Sequence, residues 1–506
     1  MNTSFDFRDV YVFDLANNHQ GDVEHALRII EEVGAVVRAR GVRGIFKFQF
    51  RQLDTFVHPA HQQNSPNKHI PRFLSTRLGK EDFRRLTEAV RRAGMITMST
   101  PFDEESVDLI DELGIEVVKV ASCSALDWPL LEKIATYTKP VIVSTGGLKL
   151  DDIDDLVSFL DHRRVHFALM HCVSIYPTPD HQLELNQIEV IRNRHPSKVV
   201  GFSTHEVPDE LGAAMIAIAK GAKLLERHVG IATDKIKLNA YSSTPAQVDA
   251  WIAAAERARV MCGHAGRPAA PAEELASLAS LKRGVFIRDP IKAGGTLRRE
   301  DVYFAMPYAE GQLDSGQWKE GIVVNADLAK DAPVMLDQIT RPAKSEKAVL
   351  FDVIHEVKAM LNEARIALNT DFRLEFSHHF GLAEFRKTGA VIIECMNRDY
   401  CKKLIVQLPG QYHPSHYHKK KEESFQVLHG TLEIILEGRR RTLQPGDIQL
   451  VPQGCWHEFW TDTGVIFEEV STTHINNDSF YEDKRINTIT REARKTIVNN
   501  WGRYQI

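Results

Sequence analysis

Residues 198–229 read KVVGFSTHEVPDELGAAMIAIAKGAKLLERHV. Its two ends, 198–205 and 223–229, are short apolar runs that finish on polar tips, and Asp209–Lys220 between them has a helical pattern. A strand, a helix and a second strand in about thirty residues make a βαβ unit, whose strands lie parallel. Outward from this unit the same pattern recurs at 10–15 (VYVFDL), 44–50 (GIFKFQF), 96–100 (ITMST), 116–122 (EVVKVAS), 140–145 (PVIVST) and 166–172 (HFALMHC). Helical patterns at Val23–Arg40, Lys80–Ala93 and Glu104–Leu113 separate several of these runs. Eight such units in about 250 residues match the count and size of a (β/α)8 TIM barrel, assigned to residues 1–262.

Beyond the barrel, composition turns to Gly, Ala and Pro around 262–275, which reads as a linker. Residues 278–340 hold short strands with turn signals at 292–295 and 331–333, enough for a small β-rich domain. Lys344–Ala367 reads as an amphipathic helix within a helical linker at 345–385. Residues 389–475 alternate apolar and polar residues between turns at Pro409-Gly410, Glu437-Gly438 and Pro445-Gly446, so a β-barrel or sandwich is expected at 386–480.

At roughly 150 residues per domain, 506 residues suggest about three domains. With 63 Lys+Arg against 68 Asp+Glu, the formal net charge of −5 argues against a nucleic-acid binder, whose footprint is strongly basic. The six cysteines lack CxxC spacing and suit a reducing compartment rather than a disulfide framework. The N-terminal MNTSFDFRDV has no apolar core of a signal peptide, and no apolar run approaches the ~20 residues of a membrane span. A cytoplasmic protein without membrane partners is expected.

Active sites of such barrels lie at the C-terminal ends of the strands. The residues there are Asp14, Lys47 with Gln49, Thr100, Lys119 with Ser122, Ser144, His171, Ser174 with Tyr176, Ser203 with His205, and Glu226 with His228. Two lysines and several hydroxyls converging on one mouth describe an anion site. His205 and His228 end neighbouring strands beside an acid, which suits a divalent metal. In the C-terminal region, His416 and His418 are two apart on a strand and face one side, with Glu423 a short step later and His457 on a returning strand. That spacing suits a three-His, one-Glu metal shell, whereas Lys419–Lys421 reads as a solvated turn, with Lys421 alternatively at the pocket mouth.

At these residues the chain resembles the sialic acid synthase family, which condenses phosphoenolpyruvate (PEP) with an aldose. The likeness covers roughly 10–310. It is carried by Asn18-His19-Gln20-Gly21, Phe46-Lys47-Phe48-Gln49, Ser99-Thr100-Pro101-Phe102, Lys119-Val120-Ala121-Ser122, Ser144-Thr145-Gly146, Tyr176-Pro177-Thr178-Pro179, Gly201-Phe202-Ser203-Thr204-His205 and Glu226-Arg227-His228. Residues 278–310 resemble the family's antifreeze-like (SAF, β-clip) domain, and 389–475 resemble the cupin superfamily, whose sugar isomerases share the His-x-His-x2-Lys-x-Glu pattern.

The resemblance implies that Lys47, Thr100, Lys119, Ser122, Ser144 and Ser203 hold PEP, and that Gln49 and Tyr176 face the sugar. His205 and His228 would bind Mn²⁺ or Mg²⁺, a Lewis acid for the aldehyde oxygen. Asp14, Lys119 and His228 would be catalytic, Asp14 in acid/base or water-orienting work. The product would be a 2-keto-3-deoxy sugar acid of nonulosonate type, made by a domain-swapped homodimer. His416, His418, Glu423 and His457 would hold Zn²⁺, Mn²⁺ or Fe²⁺ in a cupin that isomerises the sugar, binds it or is structural.

Several positions depart from the family pattern. Asp14 replaces the usual Glu, Ser122-Cys123-Ser124 replaces Ser-x-Glu, Ser174 replaces Asn, Ile236-Lys237-Leu238-Asn239 replaces a Gly-Pro-Asp run, and Met306 replaces the Arg that reaches an N-acyl group. The PEP half is intact and the sugar half rewritten, which points to an aldose other than N-acetylmannosamine. Two alternatives are a Schiff-base aldolase using Lys119 and a catalytically inactive sugar sensor.

Overall fold

The computed structural model describes residues 5–264, 266–369 and 371–504. The chain divides into two compact units, one ending at Ala269 and the other beginning at Ala270.

In the first unit, eight parallel strands close into a barrel: β1 (Val10–Asp14), β2 (Arg43–Phe50), β3 (Ile96–Pro101), β4 (Val117–Val120), β5 (Val141–Ser144), β6 (Phe167–Cys172), β7 (Val200–Thr204) and β8 (Leu224–His228). Each lies within about two residues of the run expected for it. The strands are buried on both faces, as parallel strands under a ring of helices must be. The helices supply the outer layer. Helix Val23–Arg40 starts where the Asp22 side chain accepts from the Glu24 and His25 N–H groups, and stops at Gly41, whose φ of 65° is left-handed. Its buried face includes Ile29, Ile30, Val33 and Val37, which join Phe13, Phe46 and Phe48 in the core between strands and helices.

The barrel interior is a separate cluster of Val10, Val12, Ile45, Met98, Val117, Ile142, Ala168, Met170 and Leu224. Because side chains alternate along a strand, the next inward positions follow by parity. They are Asp14, Lys47, Thr100, Lys119, Ser144, Cys172, Ser203 and Glu226. Thus the lower layer of the barrel is apolar and the upper layer is chemical. The register sets Asp14 beside both Lys47 and His228, and Ser203 beside Glu226. At the base of β7, a Cβ on Gly201 would lie 2.4 Å from the Leu224 carbonyl oxygen, so only glycine lets β7 and β8 approach this closely.

In the second unit, strand Gly284–Ile287 pairs antiparallel with Val302–Ala305, and Thr296–Leu297, Ile322–Val324 and Ile339–Thr340 form a three-stranded sheet. Val285, Ile287, Leu297, Val302, Ile322 and Val324 belong to one small core. The stretch read as a linker at 262–275 contains the start of a helix, Ala272–Leu281, which follows Pro271 and carries Glu273 and Glu274 in its first turn.

Two further sheets, of seven and five strands, form the C-terminal barrel. Phe425, Val427, Ile434, Phe459 and Phe467 are members of its core. The seven-stranded sheet extends past the expected limits. Leu374–Ser377 lies inside what was read as a helical linker, yet it is a strand, and it pairs antiparallel with Lys495–Val498 from beyond residue 480. The helix of that linker is shorter than read, Glu346–Glu363. Its buried Val353, Ile354 and Val357 pack in one cluster with Phe376, Phe385 and Trp501. No helix of the described residues is long and apolar enough to cross a membrane.

Candidate active site and candidate metal centre

Every barrel residue expected to act in catalysis, PEP binding, sugar contact or metal binding lines one open cavity of about 860 Å³ at the strand tips. Its floor is a buried network of charges. Lys47 Nζ lies 3.0 Å from Asp14 Oδ2 and is hydrogen-bonded to Glu226 as well. Lys119 Nζ lies 3.4 Å from the other Glu226 oxygen and donates to the Ser144 hydroxyl. Gln49 Nε2 donates to Asp14 Oδ2 at 3.3 Å, and the Ala16 N–H donates to Asp14 Oδ1 at 2.9 Å.

The charges of this floor are set by competition. Burial alone would raise Asp14, but Lys47 and His228 outweigh it and hold its carboxyl down to about 2. Burial likewise opposes the charge on Glu226, and Lys119 and Lys47 overcome it. For Lys119 burial wins over Glu226 and the ammonium is pushed down, whereas Asp14 and Glu226 push Lys47 up against burial. Two cations and two anions therefore balance at the floor. Thr100 Oγ1 and Glu226 Oε2 are buried without a hydrogen-bond partner. Such orphaned polar atoms at a cavity floor fit an incoming polar ligand.

His205 and His228 have ring centroids 5.2 Å apart. His205 Nδ1 lies 2.9 Å from the Val173 carbonyl oxygen, which only accepts, so Nδ1 carries the proton and Nε2 is left as a ligand atom. His228 Nδ1 faces Asp14 Oδ2 at 3.4 Å, and burial lowers this imidazole to about 4, so it is neutral. The neutral His228 and the free Nε2 of His205 beside the Asp14 carboxylate fit a divalent cation. The Tyr176 ring is 4.3 Å from His205, and the Tyr241 ring is 5.2 Å from His228.

Glu226 is the residue whose role the motif reading left open. It sits two positions before His228 on β8, so strand parity was the available signal. Cys172, Arg51 and Tyr241 also line the cavity and carried no motif.

In the C-terminal barrel, strands Tyr412–His418 and His457–Trp460 pair with His416 opposite His457. His416, His418 and His457 place one ring nitrogen each within 4.8 Å of one another. All three rings are oriented the same way. Nδ1 of His416, His418 and His457 meets the carbonyl of Pro414, Asp478 and Cys455 at 2.9, 2.9 and 3.1 Å respectively. The three Nε2 lone pairs are thereby left facing inward, as metal ligation requires. Glu423 lies beside the group, 3.3 Å from His418 Nε2 and 3.4 Å from His457 Nε2, and pairs with Lys421. His457 Nε2 and Glu423 Oε2 have no hydrogen-bond partner, which fits a cation between them.

Lys421 departs from the solvated-turn reading. It is 5% exposed, pairs with Glu423 and donates to Glu469 Oε1 at 3.1 Å, so its turn is folded inward by two carboxylates. Lys403 reaches the same Glu469 oxygen at 3.2 Å and lies 3.3 Å from His474 Nδ1. Lys403, Lys421, Glu423, Glu469 and His474 line a chamber of about 70 Å³ together with His416 and His418.

Residues 38–266 match the NeuB family and residues 404–468 match a cupin domain. The chain superimposes on the crystal structure of a spore coat polysaccharide biosynthesis protein E from Chromobacterium violaceum with a TM-score of 0.64 and 43% identity, covering 66% of this chain and 100% of that one. The chain belongs to the NeuB family. It is 25% identical to the mouse N-acetylneuraminate-9-phosphate synthase over 343 residues, 67% of this NeuB-family chain and 94% of the mouse protein. It is 28% identical to the N,N'-diacetyllegionaminic acid synthase of Campylobacter jejuni over 222 residues, 42% of this chain and 64% of that one. The expected likeness to sialic acid synthases and the C-terminal cupin are both found.

Proposed function

We propose that this NeuB-family barrel condenses PEP with an aldose, releasing phosphate and a 2-keto-3-deoxy sugar acid. The observation that carries the reading is the upper inward layer of the barrel, where Lys47, Lys119, Thr100, Ser144 and Ser203 surround Glu226 and Asp14. The lysines and hydroxyls are donors for the phosphate and carboxylate oxygens of PEP. C3 of PEP adds to the aldehyde carbon and the aldehyde oxygen takes up a proton. Water adds at C2, and phosphate leaves from the tetrahedral carbon. Asp14, ionised across the working pH range, orients that water and accepts its proton. A divalent cation on His205 and His228 supplies Lewis acidity at the aldehyde oxygen when bound.

Residues 278–340 are read as the SAF domain, acting within a swapped homodimer. The cupin is read as a metal site that isomerises the sugar or binds it. Phosphate release from PEP with Mn²⁺ and a panel of aldoses and ketoses tests the synthase reading. Release with an aldose supports it, and no release with any sugar moves the reading to a sensor. A Schiff-base aldolase on Lys119, favoured by the lowered ammonium, is separated by borohydride trapping with pyruvate.

Gly146 offers a milder probe of the PEP end. A Cβ there would lie 2.7 Å from Ser122 Oγ and 2.8 Å from Ser174 Oγ, and the Gly146 N–H donates to Ser122 Oγ at 3.0 Å. Gly146→Ala is expected to displace Ser122 and raise the KM for PEP about tenfold or more, since small misplacements in an active site are costly. Initial rates at varied PEP check this, and an unchanged KM would remove Ser122 from the PEP contacts.

A further inference from the structure

The three inward histidines of the C-terminal barrel do not owe their orientation to one source. His416 and His457 each find their Nδ1 acceptor two residues earlier, in the carbonyls of Pro414 and Cys455, so their own strands hold them. His418 finds its acceptor 60 residues further along the chain, in the Asp478 carbonyl at 2.9 Å. Ser479 Oγ lies 3.4 Å from the same nitrogen. The direction of the His418 Nε2 lone pair therefore depends on a remote segment.

That segment is a strap, residues 473–479, tied at both ends. At its start the Asn397 side chain donates to the His474 carbonyl at 3.2 Å and accepts from the His474 N–H at 3.0 Å. The Thr473 hydroxyl donates to the Arg398 carbonyl at 2.7 Å. At its end Ser479 opens the strand Ser479–Tyr481, which pairs antiparallel with Tyr412–His418 and sets Ser479 opposite His418. His474 and Ser479 line the chamber from this strap.

Asp478 joins the strap to the turn that follows His418. Its buried carboxylate accepts from three successive backbone N–H groups, Lys419 on Oδ1 at 3.2 Å and Lys420 and Lys421 on Oδ2 at 3.0 Å each. Successive N–H groups converging on one anion form a nest, and such charge-assisted bonds are about twice as strong as neutral ones. The Lys419 ammonium, 4.4 Å from the Phe480 ring centroid, adds a second grip. The same turn delivers Lys421 to Glu423 and Glu469. One residue thus seats the strap with its carboxylate and orients a ligand with its carbonyl.

We propose that Asp478 is a positioning residue for the metal centre: its carboxylate seats the strap on the Lys419–Lys421 turn, and the seated strap aims His418 inward. Strap closure and metal binding are then one coupled event. The inference rests on reading His416, His418 and His457 as a metal centre.

The test uses the full chain with Zn²⁺ as the probe, the site being defined as the Zn²⁺ that His457→Ala fails to bind. Asp478→Ala is expected to weaken this site about ten- to hundredfold, the range for outer contacts of metal ligands. Asp478→Asn keeps one acceptor oxygen of the nest and is expected to fall between Asp478→Ala and wild type. Chelation of the wild type should also speed hydrogen exchange at the Lys419, Lys420 and Lys421 amides, which report opening of the strap. A merely structural Asp478 gives a different result. Asp478→Ala would then lower the melting temperature of chelated protein and leave Zn²⁺ affinity within twofold of wild type, which overturns the proposal. Should Asp478→Ala not fold, Asp478→Asn is judged by the same twofold limit. Amide exchange that ignores chelation overturns the coupling. A wild type that binds no more Zn²⁺ than His457→Ala contradicts the metal reading itself.

Discussion

Lys47→Met is expected to lower PEP turnover by about a thousandfold or more and to destabilise the barrel at the same time. The activity loss follows from removing a cation that faces both the PEP end and the Asp14 carboxylate, an effect on the scale seen when charged active-site donors are deleted. The stability loss has a separate cause. Without the ammonium, Asp14 is left buried without a cationic partner while Glu226 keeps only Lys119, and breaking a buried ion pair costs about 3–5 kcal/mol. Asp14 is depressed in the native protein, so its pairing stabilises the fold above the unfolded carboxyl pKa, and that contribution is lost as pH falls toward about 2. In the variant the sign reverses, because unpaired buried carboxyls are raised and favour the protonated form. The difference in urea midpoint between wild type and variant should therefore be largest near pH 7 and shrink toward pH 4. A difference independent of pH would mean that lost packing, not charge, dominates.

His457→Ala is expected to abolish stoichiometric metal in the second unit. Three Nε2 atoms are held inward by carbonyl contacts at their Nδ1 atoms, and loss of one of the three histidines is expected to lower metal affinity by about 10²-fold. Alanine also leaves a void beside Phe425, whose ring centroid is 6.2 Å from His457. Elemental analysis after dialysis checks the first effect. Melting with and without chelator checks it independently, because a ligand bound only to the folded state raises its stability. The chelator should lower the melting temperature of the wild type and leave that of the variant unmoved. Metal retained in the variant would show that His416, His418 and Glu423 do not depend on it.

Much of this was legible from residues alone because the barrel repeats one rule. Parity along short apolar strands predicts which side chains point inward, and it placed Asp14, Lys47, Lys119, Ser144 and Ser203 together. The histidine spacing 416–418 was legible for the same reason, since two residues apart on a strand share a face. What escaped has a common cause in contacts distant along the chain. Leu374–Ser377 is four residues long and is a strand only because Ala390–Asn397 and Lys495–Val498 flank it. Lys421 sits in a run of three lysines and is drawn inward by Glu423 and Glu469.

The most direct measurement is the fate of carbon from [3-¹³C]PEP, followed by mass spectrometry and NMR with Mn²⁺ and the aldose that supports phosphate release. Condensation places the label at C3 of a 2-keto-3-deoxy acid three carbons longer than the aldose, with one phosphate released per product. Label recovered only as pyruvate, or PEP left intact with every sugar, would contradict a carbon–carbon bond-forming synthase.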